Sequence, residues 1–298
     1  MYSSSINIDN NPFDTTSINF NPLILDGAMG SYLQEKGFIP DDVLWMMKIN
    51  QTDPEAIIQL HEEYINAGAN IITTNTFRTN PSALESAGIS DYKSYVQQAV
   101  KLAHQAAEDK KVLIAGANPP AEDCYQKIRN LSNQKLEINH KKHIDLLIDT
   151  DVHFILNETQ SHFDEIKIIC NYCNLNRLPF IISLYFDHAL QILSGEPLER
   201  IINFIVDYNP LAIGFNCISS EILKRIWEQV NFSFNWGFYL NCGTGHPSER
   251  IIRCSISPDE YLKTVKESLI YNPSFVGSCC GSNPIHTKKI KELIDGKN

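Results

Sequence analysis

The sequence contains no run of about 18 consecutive apolar residues, which is the length a membrane-spanning helix needs. It also lacks a basic excess: 25 Lys and Arg stand against 35 Asp and Glu, for a formal charge of −10. A phosphate-binding face requires concentrated positive charge, so neither nucleic acid nor a membrane surface is an expected partner. No block of like charges marks an interaction tail. The opening residues, Met1-Tyr-Ser-Ser-Ser-Ile-Asn-Ile-Asp-Asn-Asn-Pro-Phe13, carry neither a basic start nor an apolar run. No export signal is therefore expected, and the chain reads as cytoplasmic. The Gly-x-Gly-x-x-Gly turn of dinucleotide-binding sheets is missing; the first strand-like run leads instead into Asp26-Gly-Ala-Met-Gly30. No internal repeat and no low-complexity linker divides the 298 residues.

What is present is a regular alternation. Short β-branched runs read as strands at Leu23–Gly27, Asn70–Asn75, Val112–Gly116, Val152–Glu158, Phe180–Tyr185, Leu211–Cys217, Trp236–Asn241 and Ser274–Gly277. Between them lie helical patterns, among them Pro54–Gly68, Phe163–Cys173 and Pro284–Ile294. Asp53 before Pro54, and Asn283 before Pro284, supply the cap and first-turn proline that open a helix. Eight strands alternating with helices predict an α/β fold, a single-domain (β/α)8 TIM barrel over residues 21–298. Residues 1–20, rich in Ser, Asn and Asp, are expected to be a flexible lead-in. The segment Asn118–Lys142 shows the least periodicity and reads as a long loop.

A barrel of this kind does its chemistry where strands end. Those positions hold Asp26, Thr74, Asn75, Glu158, Asn216, Cys217, Asn241 and the adjacent pair Cys279-Cys280. Eight cysteines in a chain that is not exported are expected to be reduced, not a disulfide framework. Cys217, Cys279 and Cys280 come from alternate strand ends and can meet at the barrel mouth. Three thiolates leave a tetrahedral zinc one position short, the mark of a catalytic site that a substrate thiol can enter. Spacing alone leaves two rivals: buried cysteines acting as small apolar fillers, and a vicinal redox pair at Cys279-Cys280. Cys170 and Cys173 fall on a helix and read as packing.

Other positions also carry two readings. Glu158 suits the ammonium of an amino-acid substrate, or a cap on the next helix. Asp26 orients substrate, or holds its own turn. Asn75 and Asn241 offer amides to a ligand or to loop backbone. His61 reads as a structural residue, and His286 as a surface one.

Four segments carry a resemblance: Leu25-Asp-Gly-Ala-Met-Gly30, Pro54 through Phe77, Gly214-Phe-Asn-Cys217, and Val276-Gly-Ser-Cys-Cys-Gly-Ser-Asn-Pro284. Through them the sequence resembles the homocysteine S-methyltransferase family, over roughly Leu23 to Ile294. The resemblance implies a (β/α)8 barrel, Zn2+ on Cys217, Cys279 and Cys280, and homocysteine as the methyl acceptor that becomes methionine. It implies that Glu158 holds the homocysteine amino group and that Asp26 and Gly27 lie near the substrate. Length favours a small sulfonium donor, S-methylmethionine or S-adenosylmethionine, with a partner protein carrying a methylated corrinoid as the other source. The chain departs from the family after the third, fourth and seventh strands, where it reads Ala115-Gly-Ala-Asn-Pro-Pro120, Asn157-Glu-Thr-Gln160 and Tyr239-Leu-Asn-Cys242. Those loops shape the donor side. A non-catalytic zinc- or homocysteine-binding relative is the alternative they leave open.

Overall fold

The computed structural model describes residues 11–16, 20–244 and 251–296. The β-branched runs form β1 (Leu23–Ile24), β2 (Ile71–Thr73), β3 (Leu113–Ala117), β4 (Phe154–Gln160), β5 (Phe180–Leu184), β6 (Ala212–Asn216), β7 (Trp236–Leu240) and β8 (Phe275–Ser278). All pair in parallel, in the order β1-β8-β7-β6-β5-β4-β3-β2. A parallel bridge between Leu25 and Ile71 joins the two ends and closes the ring. Helices cover the outside, so β5, β6 and β7 are buried on both faces along their whole length. This is the (β/α)8 barrel that the strand–helix alternation predicts. No helix among the described residues is long and apolar enough to cross a membrane.

Inside the ring, Leu25, Ile71, Phe154, Ile181, Tyr239 and Phe275 pack into one cluster. Its floor is closed from outside the barrel. Phe13 has no exposed area and meets the Phe154 and Phe275 rings edge-on, at centroid distances of 5.4 and 5.8 Å. Asn11 fixes the segment by donating from Nδ2 to the Leu211 carbonyl at 2.9 Å. Residues 11–16 belong to the stretch expected to be a loose lead-in; of these Phe13 is buried, while Asp14 and Thr16 are exposed, and residues 1–10 and 17–19 lie outside the described residues.

Two sequence expectations need correction. The segment 118–142 is not one long loop: a helix, Asn133–Ile148, starts within it, capped by Ser132. Its inward face carries Asn139, His140 and His143 beside Leu136, Ile144 and Leu147. Polar residues at core positions broke the apolar period by which a helix is read. His286 is not on the surface either. It is 1% exposed, joins the Asn283 capping box, and its Nε2 lies 3.0 Å from the Ile256 carbonyl.

Cys170 and Cys173 are fully buried on the helix Phe163–Leu175, as packing requires. His61 is equally buried on the helix Pro54–Asn66, and neither of its ring nitrogens has a hydrogen-bond partner among the described residues.

Candidate metal and substrate site

Cys217 follows the last residue of β6, and Cys279 and Cys280 follow β8 directly. Backbone bonds to β7 and the turn after it fix all three: Cys217 N–H donates to the Tyr239 carbonyl at 3.0 Å, Cys279 N–H to Leu240 at 2.7 Å, and the Cys280 carbonyl accepts from Cys242 at 2.7 Å. Gly281 completes the turn at φ +82°, where a Cβ would stand 2.5 Å from the Gly243 backbone, so no side chain fits. Cys217 itself sits at φ 54°, a conformation uncommon outside glycine.

The sulfurs converge. Cys217 Sγ lies 3.6 Å from Cys280 Sγ, and Cys279 Sγ lies 4.0 Å from Cys280 Sγ. All three fall within 4.8 Å of one another, and no other group of three or more potential ligands does so among the described residues. Zinc–sulfur bonds of about 2.3 Å place the sulfurs of a tetrahedral site about 3.8 Å apart. The spacing therefore fits a zinc ion, whereas a disulfide brings its sulfurs to about 2.05 Å. The thiols also act on one another: S–H donation from Cys279 and Cys280 holds Cys217 well below the ordinary thiol range.

A cavity of about 350 Å³ opens above the cysteines, with Asp26, Gly27, Thr74, Asn75 and Glu158 in its wall. Asp26 is tied across the β1–β2 seam. Its two oxygens accept from Thr73 N–H and Thr73 Oγ1–H, both at 2.8 Å. Burial pushes its carboxyl up to about 7, against these bonds. Glu158 is raised further, to about 8, by burial first and then by the nearby negative charges of Cys217 and Asp26. It has no hydrogen-bond partner among the described residues. A cation placed between these two carboxyls would relieve both.

Glu158 owes its position to an irregularity in the strand. The register between β4 and β5 shifts between Asn157 and Gln160, and Thr159 stands at φ 58°. Bulges of this kind re-aim a side chain. Gly27 is required for a different reason: a Cβ there would lie 2.7 Å from the Tyr64 side chain and 2.8 Å from Ser282 Oγ.

The remaining expected residues divide. Thr74 and Asn75 reach the cavity wall, but their polar atoms are engaged. Thr74 Oγ1 accepts from Ala117 N–H at 3.1 Å, and Asn75 Nδ2 donates to Asn50 Oδ1 at 2.9 Å. Asn216 lies beneath the wall, fully buried, bonded to Thr159 and Ser183. Asn241 caps its own turn through Gly243 N–H at 2.8 Å and does not line the cavity.

Sequence reasoning did not single out Thr73, Trp45, Phe77, Arg78, Tyr125 or Tyr239, which also form the wall. Tyr239 is the clearest omission, because its buried hydroxyl has no hydrogen-bond partner among the described residues. As the penultimate residue of β7 it was open to discovery by strand alternation; the loop aromatics gave no such signal.

A chain from Escherichia coli (strain K12), named homocysteine S-methyltransferase, is 26% identical over 304 residues, covering 95% of this chain and 98% of its own. The Bacillus subtilis (strain 168) homocysteine S-methyltransferase YbgG is 23% identical over 294 residues, covering 90% and 93%. The metallated form of the Escherichia coli homocysteine methyltransferase MmuM superposes with a TM-score of 0.79 at 23% identity, across 95% of this chain and 100% of that one. The sequence model of the family described as homocysteine S-methyltransferase matches residues 23–294, a span that includes every cysteine of the triad and both carboxylates. The chain is a member of the homocysteine S-methyltransferase family.

Proposed function

We propose that this protein is a zinc-dependent methyltransferase that converts homocysteine to methionine, taking the methyl group from a small sulfonium donor. One observation carries the reading: three sulfurs at zinc spacing face a cavity whose wall holds a carboxyl without a partner, Glu158. Zinc on Cys217, Cys279 and Cys280 would supply a position for the homocysteine sulfur and make that thiol more acidic.

The chain's own residues orient the reaction. Glu158 and Asp26 receive the ammonium group, whose positive charge draws both carboxyls back into their ionised forms. Gly27 leaves the approach open. Transfer forms a carbon–sulfur bond to the acceptor as the donor's sulfur–methyl bond breaks, and the electron pair stays on the donor sulfur. Holding acceptor and donor in line removes the entropy of a bimolecular encounter. The rings of Trp45, Phe77 and Tyr125 in the same wall suit a cationic donor.

The test joins metal analysis to a donor panel. Purified protein is expected to hold about one zinc per chain, lost in Cys217→Ser, and to form methionine from homocysteine with S-methylmethionine or S-adenosylmethionine. Bound zinc and bound homocysteine with no methionine from either sulfonium, or from a methylated corrinoid protein, would make it a non-catalytic relative. Absence of zinc together with reversible Cys279–Cys280 oxidation would make it a redox protein.

A further inference from the structure

Among the described residues of a wall dominated by negative charge, one cationic side chain is found, that of Arg78. Asp26, Asp41, Asp42, Asp123, Glu158 and the cysteines share the cavity with it, in a chain of net charge −10. A partly buried arginine in such surroundings ordinarily pairs with a carboxylate. Arg78 does not. Among the described residues its guanidinium makes no ion pair and no hydrogen bond; it lies against the neighbouring Phe77 ring, 5.7 Å from Cζ to centroid. The available acids are otherwise engaged: Asp41 with Lys48, and Asp123 with the Tyr125 N–H at 2.9 Å.

Arg78 follows β2 in the same loop as Thr74 and Asn75, and it stands close enough to Cys124 to act on that thiol's charge. A guanidinium has five N–H donors in a planar fork that matches a carboxylate. Substrate entry strips water from this fork, which is costly unless an anion arrives with the substrate. The amino-acid acceptor brings a carboxylate, and so does an amino-acid sulfonium donor.

Resting on the methyl-transfer reading, we propose that Arg78 is the specificity residue that anchors the carboxylate of an amino-acid substrate in this cavity. It selects zwitterionic ligands over analogues that keep the sulfur centre but lack the acid. It has no part in holding the metal.

Calorimetric binding to zinc-loaded protein separates the two sources of the carboxylate. The donor arm compares S-methylmethionine with (3-aminopropyl)dimethylsulfonium, and the acceptor arm compares homocysteine with 3-aminopropane-1-thiol; each analogue lacks only the acid. Arg78→Ala is expected to weaken the carboxylate-bearing ligand of one arm by about 10- to 100-fold, as loss of a charge-assisted pair does. Its carboxylate-free counterpart should change less than about twofold, and Arg78→Lys should recover part of the loss. The arm that responds identifies the substrate. Equal weakening with and without the acid, no weakening in either arm, or loss of zinc from Arg78→Ala would each overturn the proposal. Because the readout is binding, it stands even if wild-type protein makes no methionine, so its failure is distinct from failure of the methyl-transfer reading.

Discussion

Asn216 grips Thr159 at two points: its Oδ1 accepts from Thr159 N–H at 3.1 Å, and its Nδ2 donates to Thr159 Oγ1 at 2.8 Å. The chain neighbour of Asn216 is a triad cysteine, Cys217, and that of Thr159 is the cavity acid, Glu158. A β-branched residue at positive φ is unfavourable by about 1–3 kcal/mol, and it persists only when its surroundings fix it. The amide thus sets the sulfur and the acid in one frame.

Asn216→Ala should loosen that frame. It leaves Thr159 N–H and Ser183 Oγ–H buried without their shared acceptor, for a loss of about 1–3 kcal/mol in unfolding free energy. If Asn216 positions Glu158, the KM for homocysteine also rises, by about tenfold, with zinc retained. Reduced stability with an unchanged KM would leave Asn216 a purely structural residue.

Glu158→Gln keeps the shape and removes the charge. The homocysteine KM should rise by about 10- to 100-fold, the worth of a charge-assisted hydrogen bond. The acceptor 4-mercaptobutyrate, which has no amino group, should be used equally by both proteins. An equal penalty on both thiols would show that Glu158 does not read the ammonium.

Metal removal should be visible as thiol reactivity. In metal-free protein, iodoacetamide is expected to modify the half-buried Cys279 and Cys280, and zinc should protect both. Cys254, exposed and outside the triad, should react in either state, whereas Cys170 and Cys173 should react only after unfolding. Mass mapping of the labelled peptides checks this. Equal labelling of Cys279 and Cys280 with and without zinc would remove them as ligands.

Acid should destabilise the fold in two windows. Burial lowers the pKa of His61 from 6.5 to about 4. The unfolded chain therefore takes up a proton before the folded one does, and stability present above pH 6.5 is lost as pH falls toward 4. His61→Leu should abolish this part, worth about 3 kcal/mol in all. At pH 7 it should be neutral or stabilising by about 1 kcal/mol, because no partner is lost. Below it lies the window of Glu165. Burial alone would raise this carboxyl, but His140 and Arg129 overcome that and lower it from 4.5 to about 2. Its contribution is full above pH 4.5 and fades as pH falls toward 2. Denaturant melts at pH 7, 5 and 4 compare the variant with the wild type; parallel loss in both would exclude His61 as a source.

The strands were legible because most are short runs rich in β-branched or aromatic residues and largely buried on both faces. The cysteine triad was legible because a barrel places strand ends together. Side-chain direction was not. Asn216 and Glu158 look alike as polar strand-end residues, yet a bulge at Thr159 turns one into the cavity and leaves the other beneath it. Helix 133–148 was hidden by the polarity of its own core face, where His140 bonds to Glu165 at 2.9 Å and His143 to Asn118, also at 2.9 Å. His286 was misread because only the fold reveals that the Ile256 carbonyl covers it. Arg78 gave no signal in the sequence, since its lack of a carboxylate partner among the described residues is a property of the folded cavity.

The seam of the barrel gives Asp26 a second duty. β1 meets β2 through the Leu25–Ile71 bridge, and the Asp26–Thr73 bonds stitch the strands just beyond it. The acid proposed to receive the acceptor is thus also a fastener of the ring. Occupancy and ring closure are thermodynamically linked: whatever firms the Asp26 carboxylate in its ionised form strengthens the bond from Thr73 N–H, and opening of the seam works against binding by the same amount. On the proposed reading the Thr73 amide would be a gauge of the site, its hydrogen exchange expected to slow as the acceptor fills the cavity.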